Sequence, residues 1–322
     1  MSDLTLPISA MRYDITLPLL EGRVDIPGVK LERAVTGSMA FSDIPQLREG
    51  NFGLWDLNLG YLLPAIEAGW QLRALPVFTK RKPAYQFIFC RAGAGIRSPK
   101  ELEGKRVGAR NYRTALTVWV RGLLQEFHGL DLSTLRWLTW ADDAFPVYDS
   151  TTSISRTANP QKSPVDALLD GDIDVLVTDI SDTKLFRQLE DTPSIRRLFP
   201  DYESEDQRLY QATGIYTPVH LMVMSSDLDR RQPDLARRLY EAFVKSKEIS
   251  DDEILSDRGG FAVVYLRERM KEQMARWGDP FKHGFAANQR AIETFMRYNL
   301  EQGMIREPPA LERIFATGML ET

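Results

Sequence analysis

The segment Val107-Gly108-Ala109-Arg110-Asn111-Tyr112-Arg113-Thr114, running on into Ala115-Leu116-Thr117-Val118-Trp119-Val120-Arg121-Gly122, constrains the fold more than any other stretch. A short apolar strand over Lys105 to Ala109 stops at a polar turn, and a helical pattern follows at once. Asn111 to Thr114 therefore lie at a strand's carboxyl end and a helix's amino end. Free backbone N–H groups and the helix dipole favour an anion there, and α/β proteins place ligands at this edge. Just upstream, Ser98, Pro99 and Glu101 have the spacing of a capped helix start, with Pro in the first turn and Glu three residues after the cap.

The same grammar recurs twice. Leu47-Arg48-Glu49-Gly50 ends a helix and Phe52 to Leu59 follows as a strand carrying Asp56 and Asn58; Leu168-Leu169-Asp170-Gly171 ends another and Ile173 to Val177 follows, with Thr178 and Asp179 at its tip. A helix, a Gly stop and a buried strand make the repeating unit of a doubly wound sheet. With 322 residues, the chain can build two such lobes, each with its own core. Tyr85 to Arg91 would lead out of the first lobe and Pro218 to Met224 would lead back. The expected division is residues 1–90 with 218–322 as lobe I, and 91–217 as lobe II. Beyond Pro233 the pattern is helical, over Pro233 to Lys247, Phe261 to Trp277 and Ala286 to Gln302, where Gly303 stops it. The acidic stretch Glu248 to Asp257 suits a solvated loop or helix end, and the polar run Ser150 to Ser163 suits a loop.

Much chemistry is excluded. A net charge of −4 gives no reason to expect nucleic acid or an anionic membrane as partner. No apolar run approaches the roughly 20 residues that cross a bilayer. Met1 to Pro7 lacks a basic region followed by an apolar core, so a cytoplasmic location is expected. The single cysteine, Cys90, sits in the apolar run Phe87-Ile88-Phe89-Cys90 and suits a buried, inert thiol. His128, His220 and His283 are the only histidines and show no zinc-ligand spacing. No dinucleotide, P-loop or nucleophile-elbow motif is present. An enzyme of this sequence would work with ordinary acids, bases and cations on a small molecule.

The candidates are few. Thr79-Lys80-Arg81-Lys82 follows an apolar run, and Arg81 suits a two-pronged grip on a carboxylate, against the simpler reading of a solvated basic loop. His220 falls on the strand that returns to lobe I and faces either a cleft or the core. His128 at a helix end complements the dipole, and His283 suits a turn. Tyr13-Asp14 opens the first strand and Gly22-Arg23-Val24 follows it, Arg23 being equally able to pair with a surface acid. Asn58 and Tyr61 lie at the next strand's tip, Thr114 at the turn described above. Trp119 suits packing and Arg121 a structural ion pair.

Several of these residues stand in recognisable groups: Tyr13-Asp14 with Gly22-Arg23-Val24, Pro76-Val77-Phe78 with Arg81, Tyr112, Val118-Trp119-x-Arg121-Gly122, Arg197 to Tyr202, Thr213-Gly214-Ile215, His220, Gly278-Asp279-Pro280 and Glu301-Gln302-Gly303. In this order, spanning nearly the whole chain, they resemble the 4,5-dihydroxyphthalate decarboxylase family. The resemblance implies a two-lobed type II periplasmic-binding-protein-like α/β fold, with doubly wound mixed sheets and a cleft between the lobes. It implies a cytosolic enzyme of phthalate degradation that removes CO2 from a dihydroxylated aromatic diacid, which makes a small aromatic acid the expected partner. No cofactor is expected, while a divalent metal and a homo-oligomer stay open. The family pattern carries an Arg-His pair where this chain has Ala84-Tyr85, and an arginine near Ile180. Loss of those cations implies a related acid with a different set of anionic groups. On this reading Arg23 and Arg81 bind carboxylate, His220 is the principal acid/base and Tyr85 or Tyr112 a second proton donor. Asn58 and Thr114 orient ring substituents, with Tyr61 and Asp14 as further contacts. The alternatives are a non-catalytic binder, either a transport component or a sensor of aromatic acids, and another enzyme acting on a related aromatic acid.

Overall fold

The computed structural model describes residues 4–36, 45–148, 152–178, 181–256 and 258–322. Asp179 and Ile180, singled out above, lie outside the described residues. The chain divides into two compact units: residues 1–81, 218–292 and 309–322 form the first, and 82–217 with 293–308 the second.

The first unit is built on a six-stranded mixed sheet. Its strands are β1 (Leu4–Ala10), β2 (Val29–Thr36), β3 (Leu54–Asn58), β4 (Leu72–Ala74), β5 (Lys80–Arg81) and, returning late in the chain, β12 (Pro218–Ser225). Their order is β2-β1-β3-β12-β4, with β5 also paired to β12. β1 runs parallel to both β2 and β3, whereas β12 is antiparallel to β3, β4 and β5. All eight residues of β12 are buried, as expected of a central strand covered on both faces. β1 and β3 approach closely at Gly53, where a Cβ would lie 2.3 Å from the Pro7 carbonyl oxygen. The helix Leu59–Glu67 follows β3 without a loop, because the Asn58 side chain accepts a hydrogen bond from the Gly60 N–H and caps it.

The second unit holds the other six-stranded sheet: β6 (Ile88–Arg91), β7 (Arg106–Ala109), β8 (Arg136–Thr139), β9 (Ser153–Arg156), β10 (Val175–Val177) and β11 (Ile195–Arg197), in the order β11-β6-β10-β7-β8-β9. β7 is parallel to β10 and β8, and β6 is antiparallel to β10 and β11. The capped turn predicted at Ser98, Pro99 and Glu101 forms as a reciprocal capping box, and its two backbone N–H donors hold the Glu101 carboxyl below its ordinary range.

Several expectations are corrected. The chain passes to the second unit at residue 82, not 91, because β6 pairs with β10, Cys90 lying opposite Val175. Residues 293–308 also belong to the second unit: the Tyr298 ring packs against Gly122 and Trp119, and Gln302 bonds Arg121. The polar run after Ser150 contains β9, which pairs in parallel with β8 as an edge strand. The helix begun at Leu235 extends through the acidic stretch to Leu255, while the one predicted from Phe261 starts only at Leu266. Cys90 is fully buried, and burial raises its thiol pKa. No helix among the described residues is long and apolar enough to cross a membrane.

Candidate active site

The candidate site gathers at the carboxyl edge of the parallel strands of the first unit. Asn58 is the last residue of β3, and His220, near the start of antiparallel β12, is its cross-strand partner. Asp56, one pleat back on the same face of β3, is 5% exposed and His220 6%. His220 Nδ1 lies 3.2 Å from Asp56 Oδ1, which also accepts a hydrogen bond from Thr79 Oγ1 at 2.7 Å. On the other side of the ring, Asn58 Nδ2 is 3.4 Å from His220 Nε2.

These contacts select one tautomer. Asn58 Oδ1 is occupied by the Gly60 N–H at 3.0 Å, so the amide presents its NH2 group to the imidazole, and Nε2 must accept. The proton then sits on Nδ1 and is donated to Asp56. A histidine with a buried carboxylate behind Nδ1 and its Nε2 lone pair facing the Asn58 amide is arranged to take a proton at Nε2 and to stabilise the imidazolium that results.

By sequence Asp56 is only a residue on a strand. The available signal was a carboxylate inside the apolar run Leu54-Trp55-Asp56-Leu57, since a charge buried in a sheet needs a partner.

The other candidates are placed as follows. Arg81 is buried: its Nη2 donates to Asn288 Oδ1 and to the Lys282 carbonyl at 3.2 Å, and its guanidinium lies 4.9 Å from the Phe78 ring centroid. This is an anchored, loop-clamping arginine. Arg23 is solvent-facing and forms a two-pronged pair with Glu253, Nη2 to Oε1 at 2.5 Å, which is the surface-acid alternative of the sequence reading. Asp14 is exposed in the turn after β1, and Tyr61 is buried in the helix after β3.

Tyr85, Tyr112 and Thr114 lie in the second unit. The buried Tyr85 hydroxyl meets His128 Nε2 at 3.1 Å, and burial, reinforced by Asp206, pushes its pKa well above the ordinary phenol range. The same surroundings lower the His128 pKa through burial, so that histidine is a neutral partner of Tyr85 rather than a charge on a helix dipole. Tyr112 is 1% exposed beneath Arg121, whose guanidinium carbon is 3.5 Å from its ring centroid. Among the described residues Arg121 has no carboxylate pair; its Nε donates to Gln302 Oε1 at 2.7 Å and its Nη1 to the Tyr112 carbonyl at 2.8 Å. Thr114 occupies the N-cap position of the helix Ala115–His128 without a side-chain capping bond, and its hydroxyl meets that of Thr117.

The anion position predicted at this turn is filled from within the chain. Asp143 Oδ1 accepts from the Arg113 N–H at 3.2 Å, and the Tyr112 N–H also reaches this carboxyl, whose pKa burial raises. His283 in the first unit is buried, and burial with the nearby Arg81 and Lys247 charges pushes its pKa down to about 3. Among the described residues, no group of three His, Cys, Asp or Glu side chains is arranged to hold a metal ion.

No family model matches the sequence. Against individual proteins, the chain is 25% identical to a 4,5-dihydroxyphthalate decarboxylase of Comamonas testosteroni, an alignment covering 100% of this chain and 99% of that one. Over its full length the chain resembles 4,5-dihydroxyphthalate decarboxylases. A second such enzyme, from Pseudomonas putida, is 31% identical over 43% of this chain and 54% of its own length. Among solved structures, the periplasmic sulfonate-binding protein SsuA from Methylobacillus flagellatus superposes with a TM-score of 0.64 at 13% identity, covering 100% of this chain and 94% of that one. A variant of the desulfurization enzyme DSZB in complex with biphenyl-2-sulfinic acid gives 0.56 at 17% identity, covering 100% and 98%. These structural likenesses show the type II periplasmic-binding-protein-like α/β fold.

Proposed function

We propose that this protein is a decarboxylase of a hydroxylated aromatic carboxylic acid, related to 4,5-dihydroxyphthalate, with His220 as its acid/base. The observation that carries the reading is the buried Asp56–His220 pair, whose contacts favour the proton on Nδ1. The full-length resemblance to 4,5-dihydroxyphthalate decarboxylases supports the reaction class.

Direct departure of CO2 from an aryl carboxylate would leave a ring carbanion. A ring hydroxyl provides the easier route. Nε2 of His220 exchanges the Asn58 amide for the substrate hydroxyl and takes the phenol proton, and the phenolate pushes charge onto the carboxyl-bearing carbon, which accepts a proton. The bond to the carboxylate then breaks, its electron pair restores the aromatic ring, CO2 leaves and the phenolate recovers its proton. One proton is consumed overall. Asp56 holds the imidazole in the required tautomer and offsets its positive charge while it carries the proton. Asn58 steers Nε2 and is within reach of a ring hydroxyl.

A second reading, a binder of aromatic acids, draws on the likeness in fold to SsuA. A binder has no use for an acid/base pair, and this separates the two. Replacing His220 by Gln keeps size and polarity but removes the base, and kcat for CO2 release falls by about 10²–10⁴-fold while the acid still binds. A loss below about tenfold overturns the assignment of His220.

A further inference from the structure

We propose that Lys80 holds the carboxylate of the bound aromatic acid and so determines that the site takes an acid, an inference that rests on the decarboxylase reading of the His220 site. Strand pairing sets Lys80 opposite His220, and His220 opposite Asn58, so the three residues form one row across β5, β12 and β3. Cross-strand partners are neighbours about 5 Å apart at their Cβ atoms, within easy reach of a lysine side chain.

The position of the ammonium adds a second observation. Lys80 Nζ lies 5.6 Å from the centroid of the Tyr13 ring. Tyr13 follows β1, which is separated from β5 in the sheet by β3 and β12. The side chain therefore meets Tyr13 across the ends of the two strands that carry Asn58 and His220.

Among the described residues this ammonium has no hydrogen bond and no ion pair; its neighbour is the face of an aromatic ring. A cation on a ring face keeps its N–H donors for another acceptor. Arg81, one residue on, has its guanidinium engaged by Asn288 and the Lys282 carbonyl, and the chain's loop at 282–288 depends on that clamp. Of these two adjacent cations, Lys80 is the one whose donors are uncommitted and whose strand position adjoins His220. An ammonium there attracts a carboxylate and leaves the phenol end of the ligand for His220. A neutral catechol would lose that contact and keep the others.

The test is calorimetric binding of 3,4-dihydroxybenzoate and of catechol to the full chain and to its Lys80→Met and Lys80→Arg variants. Thermal unfolding is recorded alongside to show that each variant is folded. Lys80→Met is expected to weaken the acid by about 10- to 100-fold, the worth of a charge-assisted contact, and to leave catechol unchanged. Lys80→Arg is expected to restore acid binding to within a few-fold of the parent. Equal losses for both ligands, or undiminished acid binding by Lys80→Met, overturn the role of Lys80 while the decarboxylase reading stands. If the parent protein binds neither ligand, the role of Lys80 falls, while CO2 release from a panel of hydroxylated acids decides the decarboxylase reading.

Discussion

Asp206 makes the second unit's stability depend on pH in an unusual direction. Its carboxyl is 4% exposed; one oxygen accepts from the Ala84 N–H at 3.2 Å, the Tyr85 N–H also reaches the carboxyl, and Oδ2 has no partner among the described residues. Burial pushes its pKa up to about 7, with the two backbone donors pulling down and Glu205 pushing further up. Its other ionisable neighbour is Tyr85, bonded to His128, and both stay neutral near pH 7.

In the unfolded chain an aspartate titrates near 3.9. Between about pH 4 and 7 the folded state therefore binds a proton that the unfolded state has released. Stability from this group is fully present below the unfolded value and is lost as pH rises through the folded one. The whole span, about three units, amounts to roughly 4 kcal/mol. Asp206→Asn keeps an acceptor for the backbone donors and never ionises. In urea unfolding, its gain over the parent should widen by roughly 2–3 kcal/mol between pH 5 and pH 8. Parallel stability profiles for the two proteins over that range, or a variant that is the weaker at pH 8, would show that Asp206 does not release its proton at a raised pKa in the folded state.

Gly122→Ala would place a Cβ 2.2–2.5 Å from Tyr298 ring atoms, and that ring is fixed by its hydroxyl on Glu126 at 2.6 Å; a net loss of about 1–2 kcal/mol in chemical denaturation is expected after the gain in helix propensity. Arg23→Ala removes only a solvent-facing pair with Glu253, so melting temperature stays put and kcat/KM stays within about twofold; a large rise in KM would restore Arg23 as a substrate contact. Asp56→Asn retains an acceptor for Thr79 and His220 but loses the charge behind the imidazole, and kcat should drop by about 10–100-fold with little change in acid binding.

The architecture was legible because its signals are local. A helix stopped by glycine and followed by a buried strand announces an α/β unit wherever it occurs, and Ser98, Pro99 and Glu101 form their cap within four residues. Features that depend on distant partners were not legible. The turn before Ala115 has every local property of an anion site, yet Asp143, thirty residues on, fills it. β9 has no alternating apolar pattern and forms because β8 offers it an edge. The helical pattern after Ala286 is plain, but only the approach of Tyr298 to Gly122 assigns residues 293–308 to the second unit.

The site divides in the same way. His220 and Asn58 stood out by residue type and strand position. Asp56 and Lys80 acquire meaning only once β3, β12 and β5 are aligned. Arg81 and Arg23 stand out in the sequence by charge, and their partners, Asn288 and Glu253, lie more than 200 residues away.

The most direct measurement is CO2 release by the purified protein from a panel of hydroxylated benzoic and phthalic acids that includes 4,5-dihydroxyphthalate. Turnover of at least one ring-hydroxylated acid is expected, with none of its unhydroxylated counterpart and loss of that turnover in His220→Gln. Tight calorimetric binding of these acids with no CO2 released from any of them would contradict it and leave a binding protein.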